Sequence, residues 1–147
     1  MAGVTDAVRP LVREVTGGAG ALRPVAHRAV AWLVARGLDP ARAAGVELAI
    51  HEVLANAFEH GHLADGSVPI GVQVASAGSG VDVEVTDHAL AGRWATQLPG
   101  GPIDAPPPAR LPATRGRGVA LAASAVDVLV VHAEDDRTVV TLRLELP

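Results

Sequence analysis

One helical segment of this 147-residue chain carries side chains whose types and spacing could do chemistry. Glu52 and Asn56 lie four residues apart in a mostly apolar segment from Ala41 to Phe58, and Glu59 and His60 follow one turn later. Residues at positions i, i+4 and i+7 or i+8 share one side of an α-helix, so these groups are predicted to project together. Because a polar stripe on a buried helix is costly without a partner, we expect it to face a bound polar ligand.

The length and composition limit the kind of protein that this helix can serve. A chain of 147 residues is the size of one domain, so we expect a single domain over residues 1–147 with an aliphatic core. There are two Trp, one Phe and no Tyr, which leaves no aromatic platform for single-stranded nucleic acid. The net charge of −4 and a pI near 5.8 also argue against direct nucleic-acid binding.

The compartment is predicted from what the sequence lacks. It contains no cysteine, which excludes a disulfide framework and a thiolate metal site and fits a cytoplasmic protein. There is no signal-peptide pattern at the N-terminus, and no apolar run approaches about 20 residues. We therefore expect a soluble domain without a membrane segment.

The first half of the chain predicts an edge strand followed by two helices. Residues 7–15 are short and Val-rich, and Pro10 suits an edge strand. After a Gly-rich turn, apolar residues recur at helical spacing from Leu22 to Leu33, with Gly37 closing the segment. Asp39-Pro40 is an N-cap followed by proline at the first helical position, so it opens the central helix, which Gly61 ends.

The second half predicts two hairpins separated by an irregular stretch. Alternating valines predict strands on either side of residues 77–80, the second of which ends at Thr86-Asp87. Residues 96–115 contain six prolines and no periodicity, which is typical of a lid loop or of disorder. A short helix is predicted over 118–125, followed by strands at 126–133 and 138–146. The order indicates an α+β two-layer sandwich, with helices on one face of a mixed, mostly antiparallel sheet.

These features together resemble the Bergerat-fold ATPases, the superfamily of gyrase, histidine kinases and anti-sigma-factor serine/threonine kinases. The shared features are Glu-x3-Asn on a long helix, Asp at a strand end, Gly-x-Gly before a short helix and a late Thr on a strand. The small size, and the lack of a dimerisation helix pair with a phosphoacceptor histidine, favour the anti-sigma-factor kinases of actinobacterial type. The resemblance of this chain to those kinases covers roughly residues 20–146. It includes the segments Trp32-Leu-x3-Gly-Leu-Asp-Pro, Glu-x3-Asn-Ala-x2-His-Gly and Arg-Gly-Arg-Gly.

The resemblance implies a site that binds ATP and Mg²⁺. Glu52 resembles the general base, Asn56 the magnesium ligand and His60 a histidine near the phosphates or the helix end. Asp87 resembles the aspartate that accepts a hydrogen bond from the adenine amino group, and Thr138 the threonine that completes the adenine pocket.

The resemblance places a second glycine box between the irregular stretch and the short helix. Gly116 and Gly118 resemble the glycines that let phosphate oxygens approach the backbone at a helix N-terminus, with Arg115 and Arg117 adding positive charge. The stretch 96–115 then corresponds to an ATP lid. Solvated loop arginines are an equally good interpretation of Arg115 and Arg117.

The family's function would make this chain an ATP-binding regulator. The resemblance implies a kinase that binds a sigma factor, phosphorylates a serine or threonine of an antagonist protein, or does both, and it implies homodimerisation. One departure favours an alternative, since the family's Asp-x-Gly-x-Gly is replaced by Asp87-His-Ala-Leu-Ala-Gly92. The alternative is a non-catalytic partner-binding module with a degenerate nucleotide site, and a third hypothesis is an ATP-hydrolysing domain.

Simpler interpretations exist for several of these residues. Glu52 and Asn56 alone fit the polar face of an amphipathic helix, and Asp87 alone fits a turn cap. His51-Glu52 begins like a zinc-protease helix, but residue 55 is alanine where that motif needs its second histidine. A zinc site built from His51, His60 and His62 is a separate and weak alternative, since histidines around a helix end are more often incidental. Trp32 and Trp94 are predicted to pack, although Trp94 lies beside the lid, where it could cover a nucleotide.

Overall fold

The computed structural model describes residues 9–62, 65–88, 101–102, 122–133 and 136–147. The strands are β1 (Leu11–Val15), β2 (Ile70–Ala77), β3 (Gly80–Asp87), β4 (Gly101–Pro102), β5 (Val128–Ala133) and β6 (Thr138–Glu145). The helices are α1 (Leu22–Val34) and α2 (Pro40–Asn56), and residues 122–125 are also helical. In the described ranges, no helix combines the length and apolar character that crossing a membrane requires.

The described strands form one sheet in the order β1-β2-β3-β6-β5-β4, and all of their pairings are antiparallel. The prediction of a mostly antiparallel sheet with helices is confirmed. The predicted edge strand is the edge strand β1, although it begins at Leu11, directly after Pro10. The two-residue strand β4 falls inside the stretch that was predicted to be a loop, and the remainder of that stretch, together with Trp94, lies outside the described residues.

The starts of both long helices and the end of α1 agree with the predictions from their end residues. Pro24 lies in the first turn of α1, and Gly37 follows that helix with φ of +107°, a conformation that favours glycine. The carboxylate of Asp39 accepts a hydrogen bond of 2.9 Å from the amide of Ala41, and Pro40 occupies the first position of α2. Because these caps fix where α2 starts, they also fix which of its residues face the sheet.

The end of the central helix differs from the prediction. The α-helical part stops at Asn56, and Ala57–Gly61 forms a π-helical turn that is closed by a 2.8 Å bond from the amide of His62 to the carbonyl of Ala57. A π-turn holds more residues than an α-turn, so the i+7 and i+8 spacing that was drawn from Glu52 no longer applies. Glu59 is exposed and does not continue the polar stripe.

The core lies between the helices and one face of the sheet, and it is aliphatic, as the composition predicted. It combines buried residues of both helices with alternate residues of the strands, including Val140, Leu142 and Leu144. Leu146 is partly buried against the core. Trp32 packs at the edge of the core, and the guanidinium of Arg36 lies 3.7 Å from the centre of its ring.

Candidate functional site

Polar side chains replace apolar ones at one end of the central strand pair. Strands β3 and β6 align apolar partners along the helix-facing side of the sheet, namely Val81 with Leu144, Val83 with Leu142 and Val85 with Val140. The next partners in the same register are Asp87 and Thr138. Directly opposed residues on antiparallel strands have Cβ atoms about 4.5–5.5 Å apart, so this carboxylate and this hydroxyl are neighbours on the core side of the sheet.

The two residues of this pair are more deeply buried than polar side chains usually are. Asp87 is 1% exposed and Thr138 is fully buried. Within the part of the chain that the structure describes, the hydroxyl of Thr138 has no hydrogen-bond partner. Leaving a buried hydroxyl unpaired costs about 1–3 kcal/mol, so the position favours a ligand that supplies the missing partner.

His62 lies beside this pair, and it was not singled out for this role from the sequence. Its side chain is 7% exposed, and its Nε2 accepts a 2.9 Å hydrogen bond from the backbone amide of His88. Burial lowers the pKa of the His62 imidazole, and the nearby carboxylate of Asp87 opposes that effect. The only sequence signal for His62 was its position directly after the glycine that ends the helix, and its imidazole was considered only as a zinc ligand. The described residues contain no group of three side chains that could bind a metal ion.

The polar residues of α2 lie on a flank of the helix, between its buried and exposed faces. Glu52 and Asn56 are both half-buried, and neither side chain has a hydrogen-bond or ion-pair partner within the described ranges. Gly45 lies on the same flank, at i−7 from Glu52, and a Cβ at that position would be 3.9 Å from the Cβ of Ala125. The helical residues 122–125 therefore pack beside this flank near the start of α2.

The opposite side of Glu52 borders a cavity of about 520 Å³ between the two long helices. Its lining residues are Arg23, Ala26, Ala44, Glu47, Leu48, His51 and Glu52. Nδ1 of His27 lies 3.1 Å from the carboxylate of Glu47 near this cavity. The carboxylate of Glu52 can therefore be approached from the cavity as well as from the flank.

The structure brings some of the predicted site residues together and leaves others undescribed. Asp87 and Thr138 are partners in the sheet, while Glu52 and Asn56 share one helix flank. The π-helical turn after Asn56 contacts β3, so the end of α2 and the end of β3 lie on the same side of the domain. The side chain of His60 and all of Arg115, Gly116, Arg117 and Gly118 lie outside the described residues.

This arrangement, a buried Asp–Thr pair on the sheet below a helix with Glu-x3-Asn, agrees with a comparison against protein-family models. The model described as histidine kinase-like ATPase domain matches residues 17–144. The chain belongs to that family. The fold and the resemblance stated from the sequence motifs are thereby confirmed, and the family indicates a domain built to bind ATP.

Solved structures show the same fold. The crystal structure of the RsbU and RsbW domains of Rv1364c from Mycobacterium tuberculosis superposes with a TM-score of 0.62 at 27% identity, covering 95% of this chain and 33% of that chain. This family member thus spans about one third of that longer protein. The crystal structure of the SiaB-SiaC complex from Pseudomonas aeruginosa gives a TM-score of 0.61 at 16% identity, covering 91% of this chain and 88% of that one, which supports the fold alone. No curated protein sequence matches the chain.

Proposed function

We propose that this histidine kinase-like ATPase domain binds ATP, with the adenine against the buried end of β3 and β6. The observation that carries the proposal is the unpaired, fully buried hydroxyl of Thr138, in register with the carboxylate of Asp87. An exocyclic amino group is a donor that suits a carboxylate, and a ring nitrogen is an acceptor that suits a hydroxyl. The donors and acceptors on this sheet end thus fit an adenine ring.

The phosphates of this nucleotide would lie toward the flank of α2. The carboxamide oxygen of Asn56 has no other partner among the described residues, and a neutral oxygen suits Mg²⁺, which usually keeps water and phosphate oxygens as its remaining ligands. We assign His60 and the Arg115, Gly116, Arg117 and Gly118 segment to the phosphates on the basis of the sequence resemblance. Bound Mg²⁺ supplies charge neutralisation at the phosphates.

We further propose that the activity is protein serine/threonine phosphorylation of the anti-sigma-factor type. Glu52 carries an uncommitted, half-buried carboxylate that can be approached from the cavity between α1 and α2. In this role it accepts the proton of a substrate hydroxyl as that oxygen attacks the terminal phosphorus of ATP, while the bond from that phosphorus to the β–γ bridging oxygen breaks and ADP leaves. The 27% identity to a chain that contains an RsbW domain and the motif resemblance support an antagonist protein or a sigma factor as partner. Homodimerisation belongs to the same proposal.

The second candidate function is a non-catalytic module that binds a partner. It is favoured by the segment Asp87-His-Ala-Leu-Ala-Gly92, which lacks the closely spaced glycines of the family pattern. Such a module would keep the fold and the partner surface and bind nucleotide weakly. ATP binding therefore separates the two functions.

Calorimetric titration of ATP with and without Mg²⁺ tests the proposed site. We expect Thr138→Val to weaken binding about tenfold, since valine has the same shape and no hydroxyl. Asn56→Ala is expected to remove the part of the affinity that depends on Mg²⁺.

The matched control is Thr141→Val on the same strand, because Thr141 lies on the opposite face of the sheet and is half-buried. It should bind ATP as the wild type does. A folded wild-type protein that shows no binding at millimolar ATP would contradict the nucleotide site and favour the partner-binding module.

A further inference from the structure

His62 joins the two polar regions of the candidate site. Its backbone amide closes the π-helical turn at the end of α2 by donating to the carbonyl of Ala57 over 2.8 Å. Its side chain points inward and is 7% exposed. A single residue thus fixes the end of the helix through its backbone and reaches the end of β3 through its ring.

The ring contact constrains the backbone that directly follows Asp87. Nε2 of His62 accepts a hydrogen bond of 2.9 Å from the amide of His88, the residue next to Asp87. A nitrogen that accepts this bond carries no proton, so the geometry requires a neutral ring with its hydrogen on Nδ1. An imidazolium has N–H groups at both nitrogens and cannot accept the amide, so protonation breaks the contact.

Some of the charged groups around His62 raise its pKa and others lower it. Asp87 faces it from β3, His88 follows on the same chain segment, and Asp65 faces it from the turn before β2. Burial and the His88 ring lower the pKa of His62, whereas the two carboxylates and the carbonyl of Val68 raise it. The net direction is downward, which keeps the neutral, hydrogen-bond-accepting form at neutral pH.

We propose that His62 is a positioning residue for nucleotide binding: its neutral imidazole holds the backbone behind Asp87, and its protonation releases that backbone. This inference rests on the proposed function, because it assumes that Asp87 contacts the adenine. It extends that function by giving the site a built-in dependence on pH, through a residue that acts on the backbone next to Asp87.

The test measures ADP affinity by calorimetry from pH 5.5 to pH 8 in the wild type and in two substitutions of His62. His62→Gln retains an acceptor oxygen that cannot titrate, whereas His62→Phe keeps the ring shape without an acceptor. At pH 8 we expect His62→Gln to bind near the wild-type level and His62→Phe about tenfold more weakly. At pH 5.5 the wild type should have lost about tenfold relative to His62→Gln, a comparison in which titration of the ADP phosphate cancels.

The control is His27→Gln, which removes the exposed imidazole that lies beside Glu47 on the outer side of the helices. It should keep the wild-type profile. Equal pH profiles for the wild type and His62→Gln, or equal affinity of the wild type and His62→Phe at pH 8, would overturn the proposal.

A measurement without nucleotide separates this inference from the proposed function, and it needs only the wild type. In an NMR titration of the free protein, the amide of His88 should shift with the same midpoint as the ring of His62. If the amide does not follow the ring, the contact is refuted. If it follows the ring but ADP does not bind at any pH, the contact stands and the nucleotide site is refuted.

Discussion

The sheet end and the helix flank of the candidate site hold their polar groups in different ways. At the sheet end, Asp87, Thr138 and His62 are each at most 7% exposed and are fixed by strand register or by a backbone hydrogen bond. On the helix flank, Glu52 and Asn56 are half-buried and have no side-chain partner in the described parts of the chain. The polar groups of the first region are buried and fixed to the sheet, whereas those of the second are partly exposed to solvent.

This difference matches the two tasks of the proposed function. A buried set of donors and acceptors recognises one ring of fixed shape, because any other ligand leaves these groups unpaired. A carboxylate that takes a proton from a second protein must instead be reachable, and Glu52 borders a cavity of about 520 Å³. The sheet end is therefore expected to set nucleotide affinity, and the helix flank is expected to set the rate.

The largest expected effect is a loss of phosphotransfer rate, without a loss of ATP affinity, when Glu52 is substituted. Glu52→Gln keeps the size and the hydrogen-bonding atoms of the side chain but cannot act as a base at neutral pH. We expect phosphotransfer to an antagonist protein to fall about 10²- to 10⁴-fold, with ATP affinity unchanged. Single-turnover transfer of labelled phosphate measures the rate, and calorimetry measures the affinity. An unchanged rate would remove Glu52 from the catalytic role and assign the flank to binding alone.

The opposite outcome is expected at the sheet end. Asp87→Asn replaces an acceptor-only carboxylate with a carboxamide whose amino group can face the adenine amino group, and we expect ATP affinity to fall about 10- to 100-fold. The matched control is Asp82→Asn on the same strand, since Asp82 lies on the other face and binds Arg143 over 3.2 Å. Equal losses in both variants would show that the effect comes from strand stability and not from ligand contact.

The sheet end was largely predictable from the sequence because its pattern is local. Alternation of valines along residues 81–85 and of apolar residues along 140–144 determines which face each strand buries, and Asp87 and Thr138 continue that alternation. That these two residues are direct partners could not be predicted. The register between β3 and β6 joins segments about 50 residues apart, so it depends on the packing of the whole sheet.

The helix end shows where sequence periodicity stops being sufficient. The cap at Asp39-Pro40 is a local signal, and it correctly predicted where α2 begins. The π-helical turn at Ala57–Gly61 is closed by an i+5 hydrogen bond in place of the α-helical i+4 bond, and apolar periodicity does not indicate this change. With the turn in this form, the side chain of His62 contacts the backbone of His88. Sequence periodicity cannot predict such a contact, because it joins two segments that are distant in the chain.

The smallest expected effect concerns stability, and it tests whether the contact of the His62 ring at the sheet end depends on protonation. The lowered pKa of His62 means that the unfolded chain binds more protons than the folded one below the ordinary histidine pKa of about 6.5. The contribution of neutral His62 is therefore complete above that pH. It declines as the pH falls from about 6.5 toward the lowered pKa.

Urea midpoints measured from pH 5 to pH 8 should fall more steeply with acidification in the wild type than in His62→Gln. Parallel curves would mean that burying the His62 ring costs the same free energy in its charged form as in its neutral form. The sheet end would then have no special dependence on pH.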